Sequence, residues 1–379
     1  MVAEMTPNST LYNLNMTVNT SSLPPNTTPA TMDDTAETLS QLYATLTTLF
    51  FSLLIVVGLT GNSLIVATLS RWREMRTPCN LLIANICAAD LGVCLLAAPL
   101  RIIEIYRGWL FGDVLCYILN PLQDVFVVVS VVTQTVIALE RHRAIVAPFK
   151  PKMTLHRVKM AVPGIWIVCY VTSGVPMLIF LKNNLFPNGY FFCFPVFPSD
   201  GYKIAYDMYL VVLFITLPLV LQSAAYFGVI RALRAKSEIQ SRSHQPNSSM
   251  KKTLSDRARQ KKRLVRMLIV LMLAFQVCYL PRGVIMLVLE FSPETINKPE
   301  FLYVELITLA MYYLKHVINP IILSAMSNDF RSGCLSVCVA DDSHLAFTRG
   351  NRYSTSHRVH TRARRLQRNT TSSSEHVQV

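Results

Sequence analysis

Residues 116–143 read CYILNPLQDVFVVVSVVTQTVIALERHR, and this run decides the fold. It is mostly apolar, with a polar ladder at Gln123, Ser130, Gln134 and Arg141. Gln123 and Arg141 are eighteen residues apart, about five turns of 3.6 residues, so both project from one helical face. A helix from Cys116 to Arg141 rises about 37 Å at 1.5 Å per residue, roughly a bilayer core plus one interface. A cysteine then marks one membrane surface, and the cluster Glu140, Arg141, His142 and Arg143 marks the other. The remaining chain is expected to pack around this rod.

Hydrophobic residues make up 52% of the chain and charged residues 15%, against about 25% charged in soluble proteins. The apolar residues fall in long blocks centred on 42–69, 78–105, 113–140, 157–181, 205–233, 264–291 and 301–325. These predict an all-α membrane protein, a seven-helix bundle whose chain ends lie on opposite sides. Strand-like alternation is lacking, which argues against an outer-membrane barrel.

The net charge of +14 could suggest nucleic acid, but its distribution points to a membrane and to no nucleic-acid partner. The first 41 residues contain no Lys or Arg, whereas 71–76, 141–159, 231–266 and 330–379 hold 29 of the 36. Those segments share one side if the seven spans are right. The positive-inside rule then places the N-terminus outside and the C-terminus in the cytoplasm, in a multi-pass arrangement.

The N-terminal segment, 1–41, is Thr-, Pro- and Asn-rich and is expected to be an extracellular disordered tail. Asn8, Asn15, Asn19 and Asn26 each begin an N-x-S/T sequon there and are candidate glycosylation sites. Asn247 and Asn369 fit the pattern but fall on the cytoplasmic side. No basic n-region precedes the first span, so that span is expected to direct insertion itself. Residues 42–338 form the membrane domain and 339–379 an Arg- and Ser-rich cytoplasmic tail. No repeat, catalytic motif, metal set or cofactor motif emerges, so neither an enzyme nor a cofactor is expected.

Of nine cysteines, Cys116 and Cys193 occupy the extracellular positions, which predicts a disulfide. Cys87, Cys94, Cys169 and Cys278 lie within spans as small packing residues. Cys334 and Cys338 follow the last span on a short amphipathic stretch opening at Asn328, and read as S-palmitoylation sites that hold it to membrane lipid. Asn188-Gly189 lies between two apolar runs and predicts a β-hairpin with a two-residue turn, pinned by Cys193 as a lid. Asn62 and Asp90 are costly in hydrocarbon and should face the bundle interior. Pro281 is a plausible pivot in the sixth span. The basic run Lys251, Lys252, Arg257, Arg259, Lys261, Lys262 and Arg263 abuts the apolar run from Leu264, as a polybasic stop against anionic lipid does.

In this order, Gly61-Asn62, Leu81 with Asp90, Cys116, Glu140-Arg141-His142, Trp166, Pro218 with Tyr226, Phe275-x-x-Cys278-x-x-Pro281 and Asn319-Pro320 stand one set per span. Over about residues 42–338 the chain resembles the rhodopsin-like (class A) G-protein-coupled receptors, and is most similar to their neuropeptide branch. The resemblance implies a plasma-membrane receptor whose ligand pocket opens outside. It also implies a cytoplasmic cleft that takes a heterotrimeric G protein when the sixth span swings outward. Glu140, Arg141, His142, Tyr226, Phe275, Pro281, Asn319 and Pro320 would carry coupling and activation, with Arg141 held by Glu140 at rest. Receptor kinases and arrestin are expected at the tail, including 370–374. Val377-Gln378-Val379 would fit a PDZ groove by strand addition.

Three departures from the family pattern stand out. Its DRY is Glu140-Arg141-His142, its CWxP tryptophan is Tyr279, and its NPxxY tyrosine is Leu323. A fourth concerns the polar core of Asn62, Asp90, Ser130 and Lys315. The family commonly surrounds a sodium ion with residues at the positions of Asp90, Ser130, Asn319 and the residue four before Asn319, here Lys315. The Lys315 ammonium is expected to substitute for that ion, or to turn to a neighbouring carbonyl instead.

Aminergic members place an Asp where Gln123 stands, and a neutral amide cannot neutralise an ammonium. Asp124 is about 100° away around the helix. The opsin lysine position is Tyr313, and Lys315 is rotated about 200° from it. A polar, extended peptide fits better, with Arg101, Glu104, Gln123, Asp124, Tyr279, Arg282, Glu290 and Glu305 as candidate ligand contacts. Those charges could instead pair with one another. The competing readings are a small-molecule receptor of the same family and a non-signalling decoy. A transporter or channel is disfavoured because no paired repeat is found.

Overall fold

The structure is a computed structural model, and it describes residues 29–339 apart from 152, 188, 243–247 and 298–300. The sequons at Asn8, Asn15, Asn19, Asn26, Asn247 and Asn369, the tail from 340 and Asn188 lie outside the described residues. So do the side chains of Lys251, Lys252, Arg257, Arg259, Lys261 and Lys262.

Among the described residues, seven helices are long and apolar enough to cross a membrane. Span 1 is Ser40–Arg71, span 2 Pro78–Arg107, span 3 Gly112–Val146, span 4 Leu155–Phe180, span 5 Asp200–Ala235, span 6 Arg263–Phe291 and span 7 Tyr303–Met326. The expected spans agree with these to within a few residues. In its most apolar window 72% of span 3 is buried, against 22% for span 4, so span 3 is the axis and span 4 the rim. Span 3 contacts spans 2, 4, 5 and 6 and both strands of the hairpin that follows span 4.

Local chemistry sets the helix starts. Thr77 caps span 2, its hydroxyl accepting from the Asn80 N–H at 3.2 Å, and Pro78 takes the first helical position, where no N–H is needed. Thr154 caps span 4 in the same way. Spans 2, 4 and 5 each contain one wide π turn, at Val93–Ala97, Tyr170–Gly174 and Val212–Thr216. Each ends two residues before a proline, at Pro99, Pro176 and Pro218. A proline ring crowds the carbonyl four residues back and removes one N–H, and widening the preceding turn relieves both. Span 6 by contrast runs as continuous α-helix through Pro281.

The hairpin pairs β1 (Leu181–Leu185) with β2 (Phe191–Pro195), Leu185 opposite Phe191. The expected two-residue turn is replaced by a longer one. The Phe186 N–H donates to the Tyr190 carbonyl, and the Gly189 N–H to the Phe186 carbonyl, both at 2.9 Å. Pro187 fixes the second position of that turn, and Gly189 takes φ +80°, which only glycine adopts freely. Cys193 in β2 is bonded to Cys116 at the start of span 3. The Trp109 N–H donates to the Phe191 carbonyl at 2.6 Å, and Asn183 donates to Asp113 at 2.8 Å. Three ties therefore hold the hairpin over one end of the bundle.

After span 7 a helix, Asn328–Val339, buries Phe330 and Cys334 against the bundle and leaves Leu335 and Val339 exposed. This divides the two cysteines expected to be lipid-modified. Cys338 is exposed, whereas Cys334 is buried and accepts from the Thr68 hydroxyl at 3.6 Å. Burial pushes the Cys334 thiol pKa up, away from the thiolate that acylation needs.

Candidate functional site

The site grows from one buried carboxylate. Asp90 lies fully buried in span 2, where an uncompensated charge is costly. Ser130 of span 3 donates to Asp90 Oδ1 at 3.0 Å, and Lys315 Nζ of span 7 lies 3.0 Å from the same oxygen. Lys315 also donates to Ser130 Oγ. Asn319, one turn further along span 7, donates to Asp90 Oδ2 at 2.7 Å. His316 Nδ1 is 2.7 Å from Oδ1. Lys315 balances the carboxylate charge, so His316 is neutral; a carboxylate only accepts, so the His316 proton is on Nδ1. That leaves Nε2 as an acceptor, and the Tyr279 hydroxyl donates to it at 3.3 Å. A directed chain thus runs from Tyr279 of span 6 through His316 to Asp90.

Asn62 completes this level from span 1. Pro320 has no N–H, so the His316 carbonyl four residues earlier lacks its helical donor. Asn62 Nδ2 donates to it at 3.0 Å, and to the Gly58 carbonyl at 2.9 Å. The neighbouring Gly61 permits the approach, since a Cβ there would lie 2.8 Å from Pro320 Cγ. Among the described residues no three or more His, Cys, Asp or Glu come together as a metal set.

Toward the Arg141 end, polar ties join span 3 to its neighbours. Asn85 donates to Thr133 at 2.8 Å while Trp166 donates to Asn85 at 2.9 Å, linking spans 2, 3 and 4. Gln134 donates to the Leu271 carbonyl of span 6 at 3.0 Å, and Gln222 of span 5 donates to Thr135 at 2.9 Å. Arg141 pairs with Glu140 beside it. His142 packs where Gly228 of span 5 has no side chain. Tyr226 and Leu323 are both buried in the apolar cluster at this end, and they line one narrow cavity of about 20 Å³ with Gln134 and Asn319.

Toward the Cys116 end the expected ligand contacts are buried, apart from the half-buried Glu290, and most are already paired. Arg101 and Glu104 meet at 3.1 Å, and Arg282 and Glu305 at 2.6 Å. Glu290 pairs with Lys203, which also lies 3.4 Å from Asp207. Gln123 donates to Asn120 at 3.4 Å, and Asp124 is buried nearby on the same span. Glu290 and Glu305, both candidate ligand contacts, each have a cation of their own, which is the mutual pairing the sequence left open as the alternative. Beneath them Tyr279 lies between Phe275 and Tyr312, with ring centroids 4.6 and 4.8 Å away. Among the described residues Asp207 Oδ1 and the Tyr312 hydroxyl are buried without a hydrogen-bond partner.

This geometry is a seven-helix bundle with a disulfide-pinned lid at one end, an Arg–Glu pair at the other and a charged core between. The family described as "7 transmembrane receptor (rhodopsin family)" matches residues 61–323. The chain belongs to that family. It is a family of signalling receptors, not of enzymes. The receptor is 30% identical over 300 residues to the G-protein coupled receptor 54 of Oreochromis niloticus, covering 76% of this chain and 77% of that one. It is 27% identical to the substance-K receptor of Mesocricetus auratus, covering 78% of each. It is 26% identical to the pyroglutamylated RF-amide peptide receptor of Rattus norvegicus, over 77% of this chain and 70% of that one.

Sequence reasoning passed over Lys203, Asp207, Tyr312 and His316. The partner of Glu290 is 87 positions away on another span and has no local signature. His316 carried a signal, because it stands four before Pro320 and beside Lys315.

Proposed function

We propose that the receptor binds a peptide from the extracellular side and activates a heterotrimeric G protein at the plasma membrane. The observation that carries the peptide reading is the rim of ion-paired side chains under the hairpin, Arg101–Glu104, Arg282–Glu305 and Lys203–Glu290. A ligand with both charges and amides can exchange partners with such pairs, whereas a small amine would have to face Gln123, a neutral group. The peptides in the names of the substance-K and RF-amide relatives support the same class. Asp207 and Tyr312 supply further polar atoms for it.

The N-terminus is outside in this reading, and the positive segments are in the cytoplasm. Residues 42–338 make the receptor domain, between a glycosylated tail at 1–41 and a cytoplasmic tail at 339–379. Arg141 is held by Glu140 at rest and released to the G protein as span 6 moves, with His142, Tyr226, Phe275, Pro281, Asn319 and Pro320 in support. Lys315 takes the place of a sodium ion beside Asp90. Arrestin and receptor kinases act on the tail, a PDZ protein on its last residues, and a palmitoyl group on Cys338. Screening a peptide library with promiscuous G proteins as readout tests the core of this. A peptide that drives nucleotide exchange on purified G protein supports it. High-affinity binding with no exchange would make the protein a decoy.

A further inference from the structure

A second pocket opens on the side of the bundle, between the ends of spans 3 and 4. It has a volume of about 300 Å³, and its lining includes Arg143, Lys150 and Arg157 together with Val136, Leu139 and Met153. Arg143, Lys150 and Arg157 are all exposed, and none makes an ion pair among the described residues. The one acid on the wall, Glu140, is engaged by Arg141. The site therefore concentrates three uncompensated cations around an apolar floor.

Its depth indicates what faces it. Span 3 has 35 residues, a length of about 52 Å, which exceeds a hydrocarbon core of about 30 Å, so its last turns reach the headgroup layer. The pocket walls Leu139 and Arg143 lie in those turns. Deeper along span 4 than Arg157 the exposed face carries apolar side chains, with Met160 68% and Ile167 64% exposed. Cations at headgroup depth beside exposed apolar side chains match an amphiphile with an anionic head, and a volume of about 300 Å³ is at the small end of ligand sites.

We infer that this pocket binds the headgroup of an anionic phospholipid bearing a phosphomonoester, with its acyl chains lying along Met160 and Ile167. A phosphomonoester carries up to two charges and three strong acceptor oxygens, which three convergent Lys/Arg side chains can satisfy together. Placing that lipid in the cytoplasmic leaflet rests on the orientation proposed above. The binding chemistry does not.

The test uses full-length receptor in phosphatidylcholine nanodiscs doped with phosphatidylinositol 4-phosphate, with bound lipid counted by native mass spectrometry. Both faces of a nanodisc are open, so the result is independent of orientation. The R143Q/K150Q/R157Q variant changes only exposed side chains and should lose bound lipid more than tenfold, at roughly fivefold per cation. The K251Q/K252Q/R257Q variant, in the basic run before span 6, should retain it. Wild-type retention by the first variant, or an equal loss in the second, overturns the inference. Soluble inositol phosphate should not displace the lipid; full displacement would make the occupant a free anion and likewise overturn it. A tag in the 147–153 loop that is labelled on intact cells would overturn the orientation alone.

Discussion

Lys315 of span 7 and Asp90 of span 2, 225 positions apart in sequence, meet at 3.0 Å in the buried centre of the bundle. Replacing Lys315 by Met leaves the carboxylate with dipoles alone and should cost about 3–5 kcal/mol of stability, as should Asp90→Asn with the lysine kept. The double variant D90N/K315M removes both charges and should recover most of the loss. Thermal unfolding of the purified receptor reads this directly, and additive losses would show that the two charges act separately.

The same contact predicts how the receptor responds to salt. Ligand affinity in the unmodified receptor should be indifferent to sodium at constant ionic strength. Lys315→Asn reopens the position beside Asp90 and should make affinity sodium-dependent. Radioligand competition with sodium replaced by a bulky organic cation is the measurement, and sodium dependence before mutation would count against Lys315 as the resident charge.

Tyr279 has two jobs that substitutions separate. Tyr279→Phe keeps the ring between Phe275 and Tyr312 and deletes the hydroxyl that donates to His316. The expected cost is about 1 kcal/mol, seen as a lower melting temperature. Tyr279→Trp restores the family residue but enlarges a side chain only 1% exposed, and should cost about 1–3 kcal/mol by overpacking. Basal signalling measured on both variants would tell whether the hydroxyl or the ring volume sets the resting state.

Asn62 is a structural donor to a proline-orphaned carbonyl. Asn62→Leu should destabilise the receptor by about 1–3 kcal/mol, because the His316 carbonyl is left buried and unmet. If melting is unchanged, another donor has replaced it.

At the rim, Glu290→Lys faces Lys203 and should weaken both folding and the binding of a basic peptide. The exchange K203E/E290K restores the pair and should restore expression at the surface. Binding that returns with it would mean the ligand reads the pair; binding that stays lost would mean it reads Glu290 itself.

Much of this bundle was legible from local sequence. Span positions follow from apolar length, and the disulfide from which two cysteines fall at the expected extracellular positions. Lys315 was legible because it stands one turn before Asn319 on the face that meets Asp90. The rim pairs were not, because Lys203 and Glu290 acquire meaning only when spans 5 and 6 are side by side. The hairpin was foreseen but its turn was not: Pro187, rather than Asn188-Gly189 alone, sets the geometry. Nor was the division between Cys334 and Cys338, which depends on how the last helix rolls onto span 1. The wide turns were legible in principle, since every one lies just before a proline, but attention went to Pro281, where the α-helix continues without such a turn.

The ammonium at Asp90 is covalently part of the chain. A diffusible ion has a chemical potential, so its occupancy follows bath composition and, within a bilayer, the transmembrane voltage. Lys315 has a stoichiometry of one in every molecule and no route of exit. With Lys315 in the ion's place, as proposed, the charge that Asp90 meets would change through a proton transfer or a relative movement of spans 2 and 7 rather than through the electrolyte on either side.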